Sequence, residues 1–150
     1  MSFSTLDDVI KYAVQREEEA YQLYKKAAAQ TKSIAARKLF EEMAAEEAGH
    51  KEVFGKMNLE RAEHYRKKTL PDMKISQFLA ETPLKPDASY PEILAYAIKA
   101  EENAYNLYLA AANAIDDPDL EKVLRVFADV EKGHKIKVER IYDEHVLSEN

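Results

Sequence analysis

The chain of 150 residues predicts an all-α four-helix bundle made of two repeated helical hairpins with a long crossover between helices 2 and 3. Three observations carry that expectation. Apolar residues recur with a 3.6-residue period in four long segments. The second half of the chain repeats the first at an offset of 84 residues, from Tyr12 to Tyr96. Glycine occurs only three times and proline five times, too few punctuators for a β-rich protein full of turns.

The repeat organises the whole chain. YAVQREEEAYQLYKKAA from Tyr12 lies over YAIKAEENAYNLYLAAA from Tyr96, and AAEEAGHK (44–51) lies over ADVEKGHK (128–135) without a gap. Glu17, Glu18, Ala20, Tyr21, Leu23 and Tyr24 recur as Glu101, Glu102, Ala104, Tyr105, Leu107 and Tyr108. Glu47, Gly49, His50 and Lys51 recur as Glu131, Gly133, His134 and Lys135. The halves run over about 5–66 and 89–148, the crossover over about 67–88, and residues 1–150 read as one domain large enough to bury a core.

The first helix is expected from Thr5, with Asp8 in the capping-box place, to about Gln30. Its stripe is Leu6, Val9, Ile10, Ala13, Ala20, Tyr21, Tyr24 and Ala27. Ser33 caps the second, whose stripe holds Leu39, Phe40, Met43, Phe54 and Met57. Ser89 caps the third, with Pro91 in the first turn and Glu92 as the capping-box partner; Ile93, Leu94, Ala97, Ile98, Ala104, Tyr105 and Tyr108 line it. Asp117 followed by Pro118 opens the fourth, carrying Leu120, Val123, Leu124, Phe127, Val138 and Ile141. Short links make each pair an antiparallel hairpin. The crossover contains Pro71, Pro83 and Pro86, and residues 75–81 within it could form a short extra helix.

Composition excludes several classes of function. Twenty-two basic against 28 acidic residues leave a net charge of −6, which argues against nucleic acid or an anionic membrane as partner. No apolar run approaches the roughly 20 residues that span a bilayer, and the start MSFSTLDDVIKY lacks the basic-then-apolar order of a signal peptide. A cytoplasmic location is the expectation. Without cysteine there is no disulfide, thiolate zinc site or iron–sulfur cluster. Chemistry must come from Glu, Asp, His and Tyr.

The informative anomaly is the charge that interrupts the stripes. Glu17 stands in a core place of the first helix, Glu47 and His50 in core places of the second, and Glu101, Glu131 and His134 repeat the pattern. Buried carboxylates must be paired or bound to metal. Four ionised glutamates carry −4, which a pair of divalent cations would balance. Glu and His at i and i+3 share a helix face, so both can reach one centre. A single Glu-x-x-His is weak, since composition alone places a Glu three residues before a given His about one time in eight. Two such pairs in register, each with an inward Glu on the preceding helix, are strong. The competing account is a duplicated buried salt-bridge network, against which stands the want of inward Lys or Arg in the stripes.

These residues resemble the ferritin-like superfamily and, within it, the rubrerythrin group. The matching features are Glu17 with Tyr24, Glu47-x-x-His50, Glu101 with Tyr108, and Glu131-x-x-His134, and the likeness covers nearly all of the chain outside the crossover. The resemblance implies a ferritin-like four-helix bundle with two Fe ions per chain, Mn or Zn being possible. Glu17, Glu47, Glu101 and Glu131 would be carboxylate ligands, two of them bridging, and His50 and His134 would each bind one metal. Tyr24 and Tyr108 would hydrogen-bond ligand carboxylates from outside the centre. It further implies a redox enzyme that reduces hydrogen peroxide or dioxygen with oxidation of Fe(II), an external electron donor such as a rubredoxin-like protein, and a homodimer. Iron binding or storage without turnover, and a helical scaffold without metal, are the alternatives.

Two departures from the family stand out. No four-cysteine rubredoxin iron site occurs in the sequence, and Ala104, with Ala20 as its repeat mate, occupies the place of an extra carboxylate found in rubrerythrin peroxidases. Among the remaining residues, Gly49 and Gly133 precede the two histidines although glycine costs about 1 kcal/mol within a helix, which points either to steric room beside each ring or to ancestral residues retained after the duplication. Glu18 and Glu102 lie next to the ligand face and read as solvated. His64 and His145 read as ordinary surface or packing residues.

Overall fold

A computed structural model describes residues 6–66 and 84–149. They form four helices and no strand: α1 (Leu6–Gln30), α2 (Ile34–Arg66), α3 (Tyr90–Ala114) and α4 (Pro118–Glu149). The expected Thr5 cap and the short helix over 75–81 lie outside the described residues.

The helix ends follow from local chemistry. Ser33 Oγ accepts from the Ala36 amide at 3.1 Å and starts α2. The Arg37 guanidinium turns back to donate to the Ala28 and Thr31 carbonyls, at 3.1 and 2.9 Å, satisfying acceptors that the end of α1 leaves open. At α3 the capping box is complete: Glu92 N donates to Ser89 Oγ at 3.3 Å and Ser89 N donates to Glu92 Oε1 at 3.2 Å. Asp117 Oδ1 accepts from the Asp119 and Leu120 amides at the head of α4, with Pro118 in the first turn.

Helix α1 packs on α2 and on α3, and α4 packs on α3 and on α2; the two diagonal pairs do not meet among the described residues. The order around the bundle is therefore α1, α2, α4, α3. Polar contacts fix direction. Tyr24 reaches Glu101 while Tyr108 reaches Glu17, so partners run in opposite senses along α1 and α3. His50 approaches Glu131 and His134 approaches Glu47, which makes α2 and α4 antiparallel as well.

The interior has three zones. One apolar core gathers Ile10, Phe54, Leu107, Tyr108 and Leu124 at one end. A second gathers Tyr24, Phe40, Met43, Leu94 and Val138 at the other. The charged positions singled out in the sequence lie between them. The core also takes in Leu23, Leu107 and several alanines outside the expected stripes, such as Ala44 and Ala111, while Tyr21, Leu39, Ile98, Tyr105 and Val123 are only partly buried. We predict that Ser89→Ala costs about 1 kcal/mol, seen in urea denaturation as a lower midpoint with unchanged slope.

Candidate metal centre

All six predicted side chains point into the middle of the bundle. Glu17, Glu47, Glu101 and Glu131 are at most 1% exposed, with His134 at 1% and His50 at 8%. They fall into two groups whose donor atoms lie within 4.8 Å of one another: Glu17, Glu47, His50 and Glu131, and Glu47, Glu101, Glu131 and His134. Glu47 and Glu131 belong to both. The sharing follows from the helix geometry, because the Glu-x-x-His helices face each other and each supplies its Glu toward the midline.

The contacts come in pairs related by the repeat. His50 Nδ1 lies 3.1 Å from Glu131 Oε1, and His134 Nδ1 lies 3.1 Å from Glu47 Oε1. His50 Nδ1 is 3.5 Å from Glu17, mirrored by His134 Nδ1 at 3.8 Å from Glu101. The Tyr24 hydroxyl donates to Glu101 Oε1 at 2.6 Å, and the Tyr108 hydroxyl donates to Glu17 Oε1 at 2.5 Å. Burial first, and then the neighbouring carboxylates, hold both phenols well above their ordinary pKa. They stay protonated and donate to the carboxylates. On the rim, Glu18 pairs with Lys51 at 3.3 Å and Glu102 with Lys135 at 3.9 Å, so these glutamates are partnered as well as part-exposed.

Three residues break the symmetry. Arg16 is the main correction to the sequence reading, which found no inward base. Its side chain is 8% exposed, and Nη1 lies 2.5 Å from Glu47, 3.1 Å from Glu131 and 3.4 Å from Glu17. Nη2 lies 3.1 Å from Glu101. One guanidinium thus spans both groups. Its repeat mate is Ala100, which gives no warning of it, but the spacing Ala13, Arg16, Ala20 keeps Arg16 on the inward stripe. The other two are Glu46, which closes on His134 Nε2, and Phe127, which stacks on the His50 ring at 4.1 Å between centroids. Their repeat mates are Val130 and Met43.

The glycine expectation is not met. A Cβ at Gly49 or Gly133 would meet nothing within 4 Å, so neither glycine is required to make room beside a histidine. His145 packs edge-on to Tyr90 at 5.1 Å, a packing role, and the side chain of His64 lies outside the described residues.

Whether these residues suit a metal can be judged from their charge and unused donors. With all four carboxylates ionised, one guanidinium leaves −3 and a protonated His134, whose pKa is pushed to about 10 as its carboxylate partners outweigh burial, leaves −2. Without metal that excess is relieved by protons on Glu47 and Glu131, which burial raises. One oxygen of each glutamate, and His134 Nδ1, make no hydrogen bond. The donor atoms of each group lie within 4.8 Å of one another, close enough for all four to face one centre. Oxygen and imidazole donors without thiolate suit Fe or Mn and also accept Zn. The donor set fits a pair of divalent ions.

A ferritin-like four-helix bundle with Glu and His clusters that could bind metal is the class these features define. The chain belongs to the rubrerythrin family, whose sequence pattern matches residues 8–84 and 92–150. Among solved structures it is similar to a putative ferritin-like diiron-carboxylate protein from Thermotoga maritima, with 23% identity, a TM-score of 0.76, and coverage of 97% of this chain and 99% of that one. A hypothetical protein from Pyrococcus furiosus is similar at 22% identity and a TM-score of 0.70, over 92% of this chain and 88% of that one. No curated protein matches the chain. No helix among the described residues is long and apolar enough to cross a membrane.

The electrostatics of the cluster give a pH prediction for protein stripped of metal. Burial raises Glu47 from 4.5 to about 7 and also holds Glu131 well above 4.5, Arg16 opposing in both cases. Groups raised in the fold stabilise it below their unfolded pKa and lose that contribution as pH rises to the folded value. For Glu47 that window is 4.5 to about 7, and for His134 it is 6.5 to about 10. Glu17 and Glu101 are lowered against burial, chiefly by Arg16, and act the opposite way, below 4.5. Thermal melts of the stripped protein should therefore peak near pH 5 and fall toward pH 9, by roughly 5 °C or more. A midpoint that climbs over this range would contradict the assignment.

Proposed function

We propose that the chain is a rubrerythrin-type di-iron carboxylate protein that reduces hydrogen peroxide or dioxygen as Fe(II) is oxidised. The observation that carries this reading is the pair of interlocking donor groups sharing Glu47 and Glu131. Glu17 and His50 would hold one iron, Glu101 and His134 the other, and Glu47 and Glu131 would serve both. A bound iron pair would supply the electrons that reduce the oxidant, and an external donor, such as a rubredoxin-like protein, would restore them. We further propose that the protein works as a cytoplasmic homodimer.

The surrounding residues hold the ligands ready. Tyr24 and Tyr108 each fix one carboxylate oxygen of Glu101 and Glu17; the second oxygen of Glu17 faces Arg16 and His50, whereas in Glu101 the oxygen held by Tyr24 is also the one that meets Arg16. Glu46 anchors the outer nitrogen of His134 and so sets which ring nitrogen faces inward. The Phe127 ring holds His50 flat and shields one of its faces. The apolar cores on either side keep bulk water from the carboxylates.

A second reading, a metal-free scaffold held by buried ion pairs, is favoured by one observation, the Arg16 guanidinium among the glutamates. Against it stands the pH dependence of such a network: Arg16 and a protonated His134 face four glutamates, so Glu47 and Glu131 are left holding protons that they lose as the pH rises.

Anaerobic Fe(II) loading followed by metal analysis tests the proposal: about two ions per chain are expected, and the loaded protein should change its visible absorption on adding hydrogen peroxide or air. Binding well below that ratio would leave only the scaffold. Glu47→Ala or Glu131→Ala should abolish binding of both ions, whereas Glu17→Ala or Glu101→Ala should retain about one. Equal losses in all four variants would overturn the bridging assignment.

A further inference from the structure

Arg16 occupies the space that the proposed ions would need, and the fold provides a place for it to go. A cavity of about 60 Å³ lies between α1 and α3, lined by Tyr12, Arg16, Glu19, Tyr96, Ala100 and Asn103 among others. Ala100, the repeat mate of Arg16, leaves the space that a longer side chain would fill. Glu19 is three residues beyond Arg16 on the same helix, within reach on one face, and its charge bears on Tyr12 and Tyr96 across the cavity.

We propose that Arg16 is the cluster's resident cation in the metal-free chain, and that incoming divalent ions displace its guanidinium into the α1–α3 cavity, where Glu19 receives it. The inference rests on the metal reading above.

Charge and space both require the exchange. Nη1 stands 2.5–3.4 Å from oxygens of Glu17, Glu47 and Glu131, and Nη2 stands 3.1 Å from Glu101, so the fork fills both donor groups. Two divalent ions would balance the four glutamates by themselves. A guanidinium left beside them would be a buried, unpaired positive charge, which is strongly unfavourable. In the cavity it would meet Glu19, a carboxylate, and two tyrosines, residue types that partner a planar cation well. The long arginine stem makes the swing possible without moving α1.

Calorimetric titration of anaerobic protein with Mn(II) tests this. Arg16→Gln should lower the melting temperature of the metal-free chain and raise Mn(II) affinity about tenfold, two effects of opposite sign. Glu19→Gln should weaken Mn(II) binding about threefold in the wild-type background and leave it unchanged in the Arg16→Gln background. Arg16→Gln binding Mn(II) no better than wild type, or Glu19→Gln acting equally in both backgrounds, would overturn the exchange while the metal reading stands. Absence of Mn(II) and Fe(II) binding in every variant would overturn both. Should Arg16→Gln fail to fold without metal, a crystal structure of Mn(II)-loaded wild type decides: a guanidinium beside Glu19 supports the exchange, and one still among the four glutamates refutes it.

Discussion

Four glutamates buried at the midline of a small bundle repel one another, and the rest of the structure is arranged around that repulsion. Each is nearly or fully excluded from water, so none can spread its charge into solvent. Stability depends on what positive charge the fold gathers there. Among the described residues one arginine and a protonated His134 supply it, and two tyrosine hydroxyls add hydrogen bonds. Protons on Glu47 and Glu131 make up the difference until they are lost as the pH rises.

The duplicated hairpin explains why the cluster is so regular. Each half supplies one Glu from its first helix and a Glu-x-x-His from its second. Antiparallel packing of α1 on α3 and of α2 on α4 brings equivalent atoms to equivalent distances. Symmetry of this kind produces two adjacent donor groups that share their central carboxylates. Where the halves differ, the centre differs too: Arg16 against Ala100, Glu46 against Val130, and Phe127 against Met43. The His134 side is anchored by an acid on the surface, and the His50 side is covered by an aromatic face. The two positions are therefore inequivalent in charge and in access.

Much of this was legible beforehand because it is written in spacing. Periodicity located four helices, Ser33, Ser89 and Asp117 marked three starts, and the repeat placed Glu17, Glu47, His50, Glu101, Glu131 and His134 on inward faces. Arg16 was not legible in the same way. It sits directly before three acidic residues, where a base looks like an ordinary solvated charge, and the repeat that revealed the glutamates has alanine at its position. Only the register Ala13, Arg16, Ala20 could have shown that it turns inward. The glycines misled for the opposite reason: a repeated oddity beside each histidine looked purposeful, yet a Cβ would be accommodated at both. Contacts between distant helices, such as Glu46 with His134, depend on side-chain reach across the bundle and leave no local pattern.

The most direct measurement is an anomalous-difference map at the iron edge from crystals grown after anaerobic Fe(II) loading. The account predicts two peaks, one bounded by Glu17, Glu47, His50 and Glu131 and the other by Glu47, Glu101, Glu131 and His134. A map with no peak there, and the guanidinium of Arg16 still lodged among the carboxylates, would contradict it and leave a duplicated bundle held together by buried ion pairs.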